Sequence, residues 1–216
     1  MNYLWTDFET SGLNPTSRKI LEVAAVLDVE GKIFEVVDSV IQHPAPIFDP
    51  SQGWDSEAWE MHQKSHPTYA SQKGRPLLED MRNSKGIVLE RVEHALCCAV
   101  APFPPNSVML AGNSIHFDRS FIHVHMPKLD GMLHYRHMDV SCLTTFLEGA
   151  GVLERDKGPK PHRAMPDVQR SIRTFYTYKH NVRETFLGSS EAPLGRAPDW
   201  TVTEWTVDPP TWKEKP

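Results

Sequence analysis

Four acidic residues and one histidine have the residue types and spacings that metal-assisted hydrolysis requires. Asp7 and Glu9 lie two residues apart, and on a strand this spacing places both carboxylates on the same face. Asp118 follows a glycine-containing turn, and Asp167 lies five residues after His162. Carboxylate oxygens suit Mg²⁺ and Mn²⁺, and two such ions about 3.5–4 Å apart can activate water and stabilise a leaving oxygen. Since a neutral histidine can accept the proton of that water, the set predicts phosphodiester hydrolysis with two divalent cations per site.

The elements around these residues are predicted to bring them into one crevice. Residues 3–8, 20–27 and 33–41 have the apolar composition of strands, and their short connections predict an antiparallel meander. Helices are predicted at 55–65, 86–100, 116–126 and 166–181, and further strands at 107–112 and 137–140. Ser141 is the predicted N-cap of the helix after the last strand. Antiparallel strands followed by alternating helices and strands predict an α/β protein with a mixed sheet flanked by helices.

The composition is that of an ordinary globular protein with an acidic balance. Hydrophobic residues make up 39% and charged residues 24% of the chain, and the formal net charge is −5. The sequence has no basic stripe of the kind that grips long nucleic acid, which favours a short substrate held locally. It has no apolar run near the roughly 20 residues that span a bilayer, and no recognisable signal peptide. Cys97, Cys98 and Cys142 form no disulfide pattern, so we expect a reducing, cytoplasmic setting.

A change in composition near residue 184 divides the chain into two regions. Residues 1–183 contain every candidate site residue and are predicted to form one catalytic domain. Residues 184–216 are rich in proline and tryptophan and have no helical period. This tail is predicted to be poorly ordered, with an added edge strand at 201–207 as the alternative, because apolar and polar residues alternate there.

The candidate residues lie in three short segments: Asp7–Leu13, Gly112–Asp118 and His162–Asp167. These segments resemble the three motifs of the DEDDh 3′→5′ exonucleases, and Arg163 stands where the sister DEDDy type carries tyrosine. Within that superfamily, residues 134–141 resemble the oligoribonucleases. The resemblance extends in order over nearly all of the predicted catalytic domain.

The resemblance implies an RNase H-like fold with a five-stranded sheet, and it implies a role for each site residue. Asp7 would bridge two metal ions, with Glu9 and Asp167 completing one of them. Asp118 would help hold the second ion, and His162 would be the general base. The implied substrate-binding residues are Leu13 and Trp59 against the bases and Ser114, Tyr135, Arg136 and Ser141 at the 5′ phosphate. Tyr135 and its neighbours would come from the partner subunit of a homodimer.

Some of these roles have structural alternatives in the sequence. Trp59 suits a hydrophobic core as well as it suits stacking on a base, and residues 135–136 could be an ordinary loop. The spacing between tryptophan and histidine leaves open whether His62 or His66 belongs with Trp59. Asp139, at the end of a strand, is expected to have a structural role rather than to bind metal.

The residues and the resemblance together predict a homodimeric exoribonuclease. It would use Mg²⁺ or Mn²⁺ to release 5′-mononucleotides from the 3′ end of short single-stranded RNA, including dinucleotides. Two alternatives stay open: a DEDDh exonuclease acting on longer single-stranded DNA or RNA, and a non-catalytic module that binds nucleic acid or protein. A groove with basic patches and stacking aromatics would favour the first, and loss of a metal-ligand acid would favour the second. Thr10 replaces the methionine usual in oligoribonucleases, which bears on how strictly dinucleotides are preferred.

Overall fold

A mixed five-stranded sheet organises the residues that the structure describes, which are 1–63, 76–83, 86–151 and 162–187, with side chains to residue 183. The structure is a computed structural model. The strands are β1 (Asn2–Thr10), β2 (Ile20–Val29), β3 (Lys32–Val40), β4 (Val108–Gly112) and β5 (His137–Asp139). Their order across the sheet is β3-β2-β1-β4-β5. The strands β1 to β3 are antiparallel, and β4 and β5 run parallel to β1, which confirms the predicted fold class.

Helices cover both faces of this sheet. They are a 3-10 helix (Ala45–Phe48), α1 (Ser56–Gln63), α2 (Leu77–Asn83), α3 (Leu89–Val100), α4 (His116–His125), α5 (Pro127–Asp130), α6 (Val140–Gly149) and α7 (Ala164–Leu187). The short helices α2 and α5 and the 3-10 helix were not predicted. In the described ranges, no helix combines the length and the apolar character that crossing a membrane requires.

Helix α7 is longer than predicted at both ends. Val168, Ile172 and Phe175, on the side of the helix that faces the sheet, are buried. The helix continues to Leu187, past residue 183, where the tail was predicted to begin. Residues 188–216 lie outside the described part of the chain, so the division into domain and tail, and the strand at 201–207, stay predictions.

Strand β1 lies in the middle of the sheet and contributes side chains to two hydrophobic clusters. Leu4 and Phe8 belong to the cluster under α3 and α4. Tyr3 and Trp5 belong to the opposite cluster, which α7 covers. Trp5 is fully buried, and truncating such a side chain typically costs about 3–5 kcal/mol. Because side chains alternate along a strand, Asp7 and Glu9 point to the same face as Tyr3 and Trp5, toward α7.

Asp139, and not Ser141, is the N-cap of α6. The predicted cap was wrong by two residues because the helix begins at Val140, directly after β5. The Asp139 carboxylate accepts hydrogen bonds from the backbone N–H of Ser141 at 2.9 Å and from its hydroxyl at 2.6 Å. Asp139 therefore has the structural role that was predicted for it.

Candidate active site

The carboxylates of Asp7, Glu9 and Asp167 meet at the end of β1. One oxygen atom from each lies within 4.8 Å of the other two. Strand β1 supplies Asp7 and Glu9, and the first turn of α7 supplies Asp167. The pairing of β1 with β2 becomes irregular directly after Glu9, as is common beside functional sites, where a bulge re-aims a side chain. The structure thus brings together three of the four acids that the sequence selected.

Asp118 approaches the same region from the first turn of α4. The turn before α4 depends on Gly112, because a Cβ atom there would lie 2.7 Å from the carbonyl oxygen of Thr6 on β1. Asp118 is buried, and its Oδ1 atom has no hydrogen-bond partner among the described residues. It lies outside the group of three carboxylates, yet near enough for its charge to raise the pKa of Asp7.

The site holds more buried negative charge than the protein alone neutralises. Burial raises the pKa of Asp7 well above its usual value, and repulsion from Asp118 and Glu9 raises it further. Burial also raises the pKa of Glu9, as does repulsion from Glu22. The pKa of Asp118 is raised by burial as well. These oxygen donors, together with the unpartnered Oδ1 atom of Asp118, fit the demands of Mg²⁺ or Mn²⁺, which prefer carboxylate ligands.

His162 lies at the mouth of this acidic cluster, directly before α7. Its side chain lines the same cleft as Asp7 and Asp167 and is half-buried. Its backbone φ angle is +49°, in the left-handed region that residues other than glycine rarely adopt. The turn into α7 therefore fixes the histidine beside the acids, where a proton acceptor was predicted.

A second histidine, His62 of α1, packs beneath the site. Its Nε2 atom is 3.1 Å from the carbonyl oxygen of Thr10 and 3.8 Å from Oε2 of Glu9. Burial lowers the pKa of His62 to about 4, so the ring is neutral at pH 7 and Nε2–H donates to Thr10. Of the two candidates left open by the sequence, His62 thus contacts the site, and His66 lies outside the described residues.

Arg163 forms a buried ionic network behind the acids. Its Nη2 atom lies 2.7 Å from Oε1 of Glu22 and 2.8 Å from Oδ2 of Asp80. The other Glu22 oxygen accepts the backbone N–H of Ala164 at 3.0 Å, which anchors the start of α7. Glu22 lies opposite Glu9 in the register of β1 and β2. The positive charge of Arg163 lowers the pKa of Glu9. The network therefore offsets part of the repulsion in the acidic cluster.

A cleft of about 380 Å³ opens in front of the acids. Six of the predicted site residues line it: Asp7, Glu9, Ser114, Ser141, His162 and Asp167. A further group of lining residues, from α6 and α7, was not predicted: Thr144, Arg170, Ser171, Thr174 and Tyr178. The signal that could have found the α7 residues is their helical spacing from Asp167, since residues three and four apart share a face.

Ser114 and Ser141 are held side by side in the cleft. Their Oγ atoms are 3.5 Å apart, and Asp139 Oδ1 accepts the backbone N–H of each. Tyr135 and Arg136 behave differently. Both are exposed, with the Arg136 guanidinium 5.2 Å from the centre of the Tyr135 ring, and neither lines the cleft.

Leu13 and Trp59 lie outside the described cleft, on two segments that Asp55 ties together. The carboxylate of Asp55 accepts a hydrogen bond from the backbone N–H of Leu13 at 2.9 Å. The backbone N–H of Asp55 donates to the carbonyl oxygen of Ser11 at 2.8 Å. The Leu13 side chain is 76% exposed. Trp59 is partly buried and packs edge-on against Trp54, with ring centres 5.0 Å apart. Trp59 thus takes part in a core cluster, as its structural alternative predicted, while part of it stays accessible.

The fold is that of the RNase H-like exonucleases. The structure resembles those of E. coli exonuclease I in complex with a 5cy-dA13 and with a dT13 oligonucleotide, with TM-scores of 0.53 for both. The sequence identities are 15% and 14%, and the aligned regions cover 85% and 86% of this chain but only 40% and 42% of exonuclease I. This likeness concerns the fold.

Sequence comparison defines the family more closely: the chain belongs to the oligoribonuclease family. It is 31% identical to the oligoribonuclease of Chromobacterium violaceum over 86% of this chain and 96% of that protein. It is 35% identical to that of Corynebacterium diphtheriae, covering 82% and 80% of the two chains. The human mitochondrial oligoribonuclease is 30% identical, with 83% and 72% covered. No family model matches the chain. Membership confirms the predicted family and the exonuclease class of enzyme.

Proposed function

We propose that this protein hydrolyses short single-stranded RNA from the 3′ end and releases 5′-mononucleotides. The observation that carries the proposal is the convergence of Asp7, Glu9 and Asp167 at the end of β1 in a member of the oligoribonuclease family. Asp118 and His162 complete the set, so no acid of the predicted machinery is missing. The complete set argues against a non-catalytic binding module.

Each residue of the set has a distinct task in the proposed reaction. Asp7, Glu9, Asp118 and Asp167 would hold two Mg²⁺ or Mn²⁺ ions. When bound, such ions supply an activated water molecule and stabilise the leaving oxygen. His162, which lines the cleft beside these acids, accepts the proton of the attacking water through a ring nitrogen. The buried Arg163 network keeps Glu9 and the start of α7 in position while the reaction proceeds.

The cleft favours a short substrate over a long strand. Its volume of about 380 Å³ lies in the range of small-molecule sites rather than of long nucleic-acid grooves. The chain is acidic overall, so affinity has to come from local contacts. We propose that Ser114 and Ser141 bind the 5′ phosphate of a dinucleotide, with Leu13 and Trp59 contacting its bases.

We further propose that two copies of the chain form a homodimer through the outer face of α6 and the loop before β5. This surface exposes three large side chains: Tyr135 is 71%, Phe146 72% and Leu143 36% exposed. Packing against a second copy would cover them and place Tyr135 and Arg136 at the partner's phosphate site. Light scattering at micromolar concentration should then give twice 24.6 kDa, and Phe146→Asp should reduce this value toward the monomer. A wild-type monomer that cleaves dinucleotides efficiently would contradict the dimer.

A substrate-length series tests the proposed activity. Purified protein with Mg²⁺ or Mn²⁺ is incubated with 5′-labelled RNAs from two to about twenty nucleotides and with matched DNA, and Asp7→Asn serves as the inactive control. We expect the fastest cleavage on the shortest RNA, with mononucleotide products. Arg136→Ala should slow cleavage of a 5′-phosphorylated dinucleotide by about 10- to 100-fold but leave the unphosphorylated one unchanged. Equal or faster cleavage of long strands would favour the alternative exonuclease that acts on longer DNA or RNA.

A further inference from the structure

One face of α7 continues the wall of the cleft beyond the acidic cluster. Asp167, Arg170, Thr174 and Tyr178 all line the cleft, and their spacing of three, four and four residues places them on one side of the helix. At 1.5 Å rise per residue, this wall is about 16 Å long. Thr144 of α6 meets its far end, where its Oγ1 atom lies 3.1 Å from the Tyr178 hydroxyl.

The wall offers a cation and hydroxyl groups to a ligand. The Thr144 hydroxyl donates to the carbonyl oxygen of Val140 at 2.9 Å, so the Tyr178 hydroxyl donates to Thr144 and its own oxygen stays an acceptor. Arg170 carries a permanent positive charge and can make two parallel hydrogen bonds to one anion. This is the chemistry that recognises the sugar and phosphate groups of a nucleotide.

The charge balance of the cleft indicates which group Arg170 attracts. Two divalent cations would neutralise the four site carboxylates, so these acids would no longer repel an anion from the part of the cleft that Arg170 lines. Arg136, the arginine that the resemblance assigned to phosphate, does not line the cleft of its own protomer. Arg170 lies one helical turn from Asp167, about 5–6 Å between Cβ atoms, a separation comparable to that between successive phosphates of a strand.

We infer that Arg170 contacts the phosphate 5′ to the scissile one, from within the same protomer and together with Ser114 and Ser141. This inference rests on the proposed function and extends it. The site for the upstream phosphate then has a cation of its own, independent of any residue that a partner subunit supplies. Arg170 is a specificity-determining residue: it selects substrates that carry a phosphate upstream of the cleaved bond.

The test compares Arg170→Gln with Arg173→Gln, the same change one turn away at an exposed position outside the cleft. Both variants and wild type are assayed on a dinucleotide with and without its 5′ phosphate. Arg170→Gln should raise KM for the phosphorylated substrate by about 10- to 100-fold, with kcat changed less, and leave the unphosphorylated one within about twofold. Arg173→Gln should match wild type on both. Arg170→Lys, which keeps the charge, should recover part of the loss.

Equal loss on both substrates, or no loss, would overturn the inference, provided that circular dichroism and the melting temperature show a folded variant. If wild type cleaves only longer strands, the proposed function fails, and the role of Arg170 is measured on these strands.

In that experiment, a neutral methylphosphonate replaces the phosphate 5′ to the terminal linkage of the strand. Wild type should discriminate against this substrate by about 10- to 100-fold and Arg170→Gln should not. Equal discrimination by both proteins would overturn the inference in this case as well.

Discussion

Replacing Arg163 by methionine should destabilise the fold by about 3–5 kcal/mol. The side chains of Arg163, Glu22 and Asp80 are only 18%, 4% and 4% exposed. Methionine fills much of the same space but removes the cation that both buried carboxylates share. Among the described residues, Glu22 then keeps only the backbone N–H of Ala164 as a hydrogen-bond partner. Breaking such a pair is strongly destabilising because it leaves a buried charge without a partner.

The matched control is Arg18→Met, which breaks an ion pair with Asp55. The side chains of that pair are 25% and 38% exposed, so its loss should cost no more than about 1 kcal/mol. Both variants are unfolded with urea at pH 7 in the presence of chelator, followed by circular dichroism, and the free energies of unfolding are compared. Adding Glu22→Gln and Asp80→Asn to Arg163→Met should recover most of the loss, because no buried charge then lacks a partner. If Arg163→Met lowers the free energy of unfolding no more than Arg18→Met does, the Arg163 network does not stabilise the fold.

Three further predictions concern the metal site. Chelation should abolish hydrolysis and Mg²⁺ or Mn²⁺ should restore it; full activity in excess chelator would contradict metal catalysis. Asp7→Asn should be inactive, but in chelator it should melt no lower than wild type, because the substitution removes a buried charge that its neighbours repel. His162→Ala should lose about 10²- to 10⁴-fold in kcat at saturating metal, with metal affinity changed much less, and a near-wild-type rate would exclude it as the base. The pKa values of Asp7, Glu9 and Asp118 are raised in the metal-free fold, so the folded state binds more protons than the unfolded one, and stability in chelator should be lost as pH rises through these raised values. The lowered pKa of His62 has the opposite effect, because it makes stability fall as pH drops from 6.5 toward about 4. The measurement is therefore made above pH 6.5, where stability that rises with pH would refute the raised pKa values of the three acids.

The sequence predicted the sheet well because the signals for β1 to β3 are local. Their apolar runs are separated by short turns, and the observed strand boundaries differ from the predicted ones by two residues at most. The helix α2 was missed because it has only seven residues, too few to show a clear helical period. The N-cap of α6 was misplaced because Asp139 and Ser141 are both good capping residues, and only the end of β5 decides between them.

The convergence of Asp7, Glu9, His162 and Asp167 on one cleft could be predicted because each lies in a recognisable segment of sequence. The partners of Arg163 could not, because Glu22 and Asp80 are 141 and 83 residues away from it in the chain. Contacts over such distances leave no local pattern and follow only from how β2, α2 and α7 pack together. Arg170 was overlooked for a different reason: its relation to Asp167 is local, but it gains meaning only once α7 is seen to line the cleft.

The position of Asp7 and Glu9 on the central strand determines how the site should come apart under stress. Strand β1 has hydrogen-bonded neighbours on both sides, so its amide hydrogens should exchange with solvent only when the whole domain unfolds. The exposed segment around Leu13 and the loop at Tyr135 lack such ladders and should open at a much smaller free energy. Mild heating or low denaturant should therefore loosen the proposed substrate contacts of Leu13 and Tyr135 first, while the carboxylates of Asp7 and Glu9 on β1 stay in place until the sheet itself is lost.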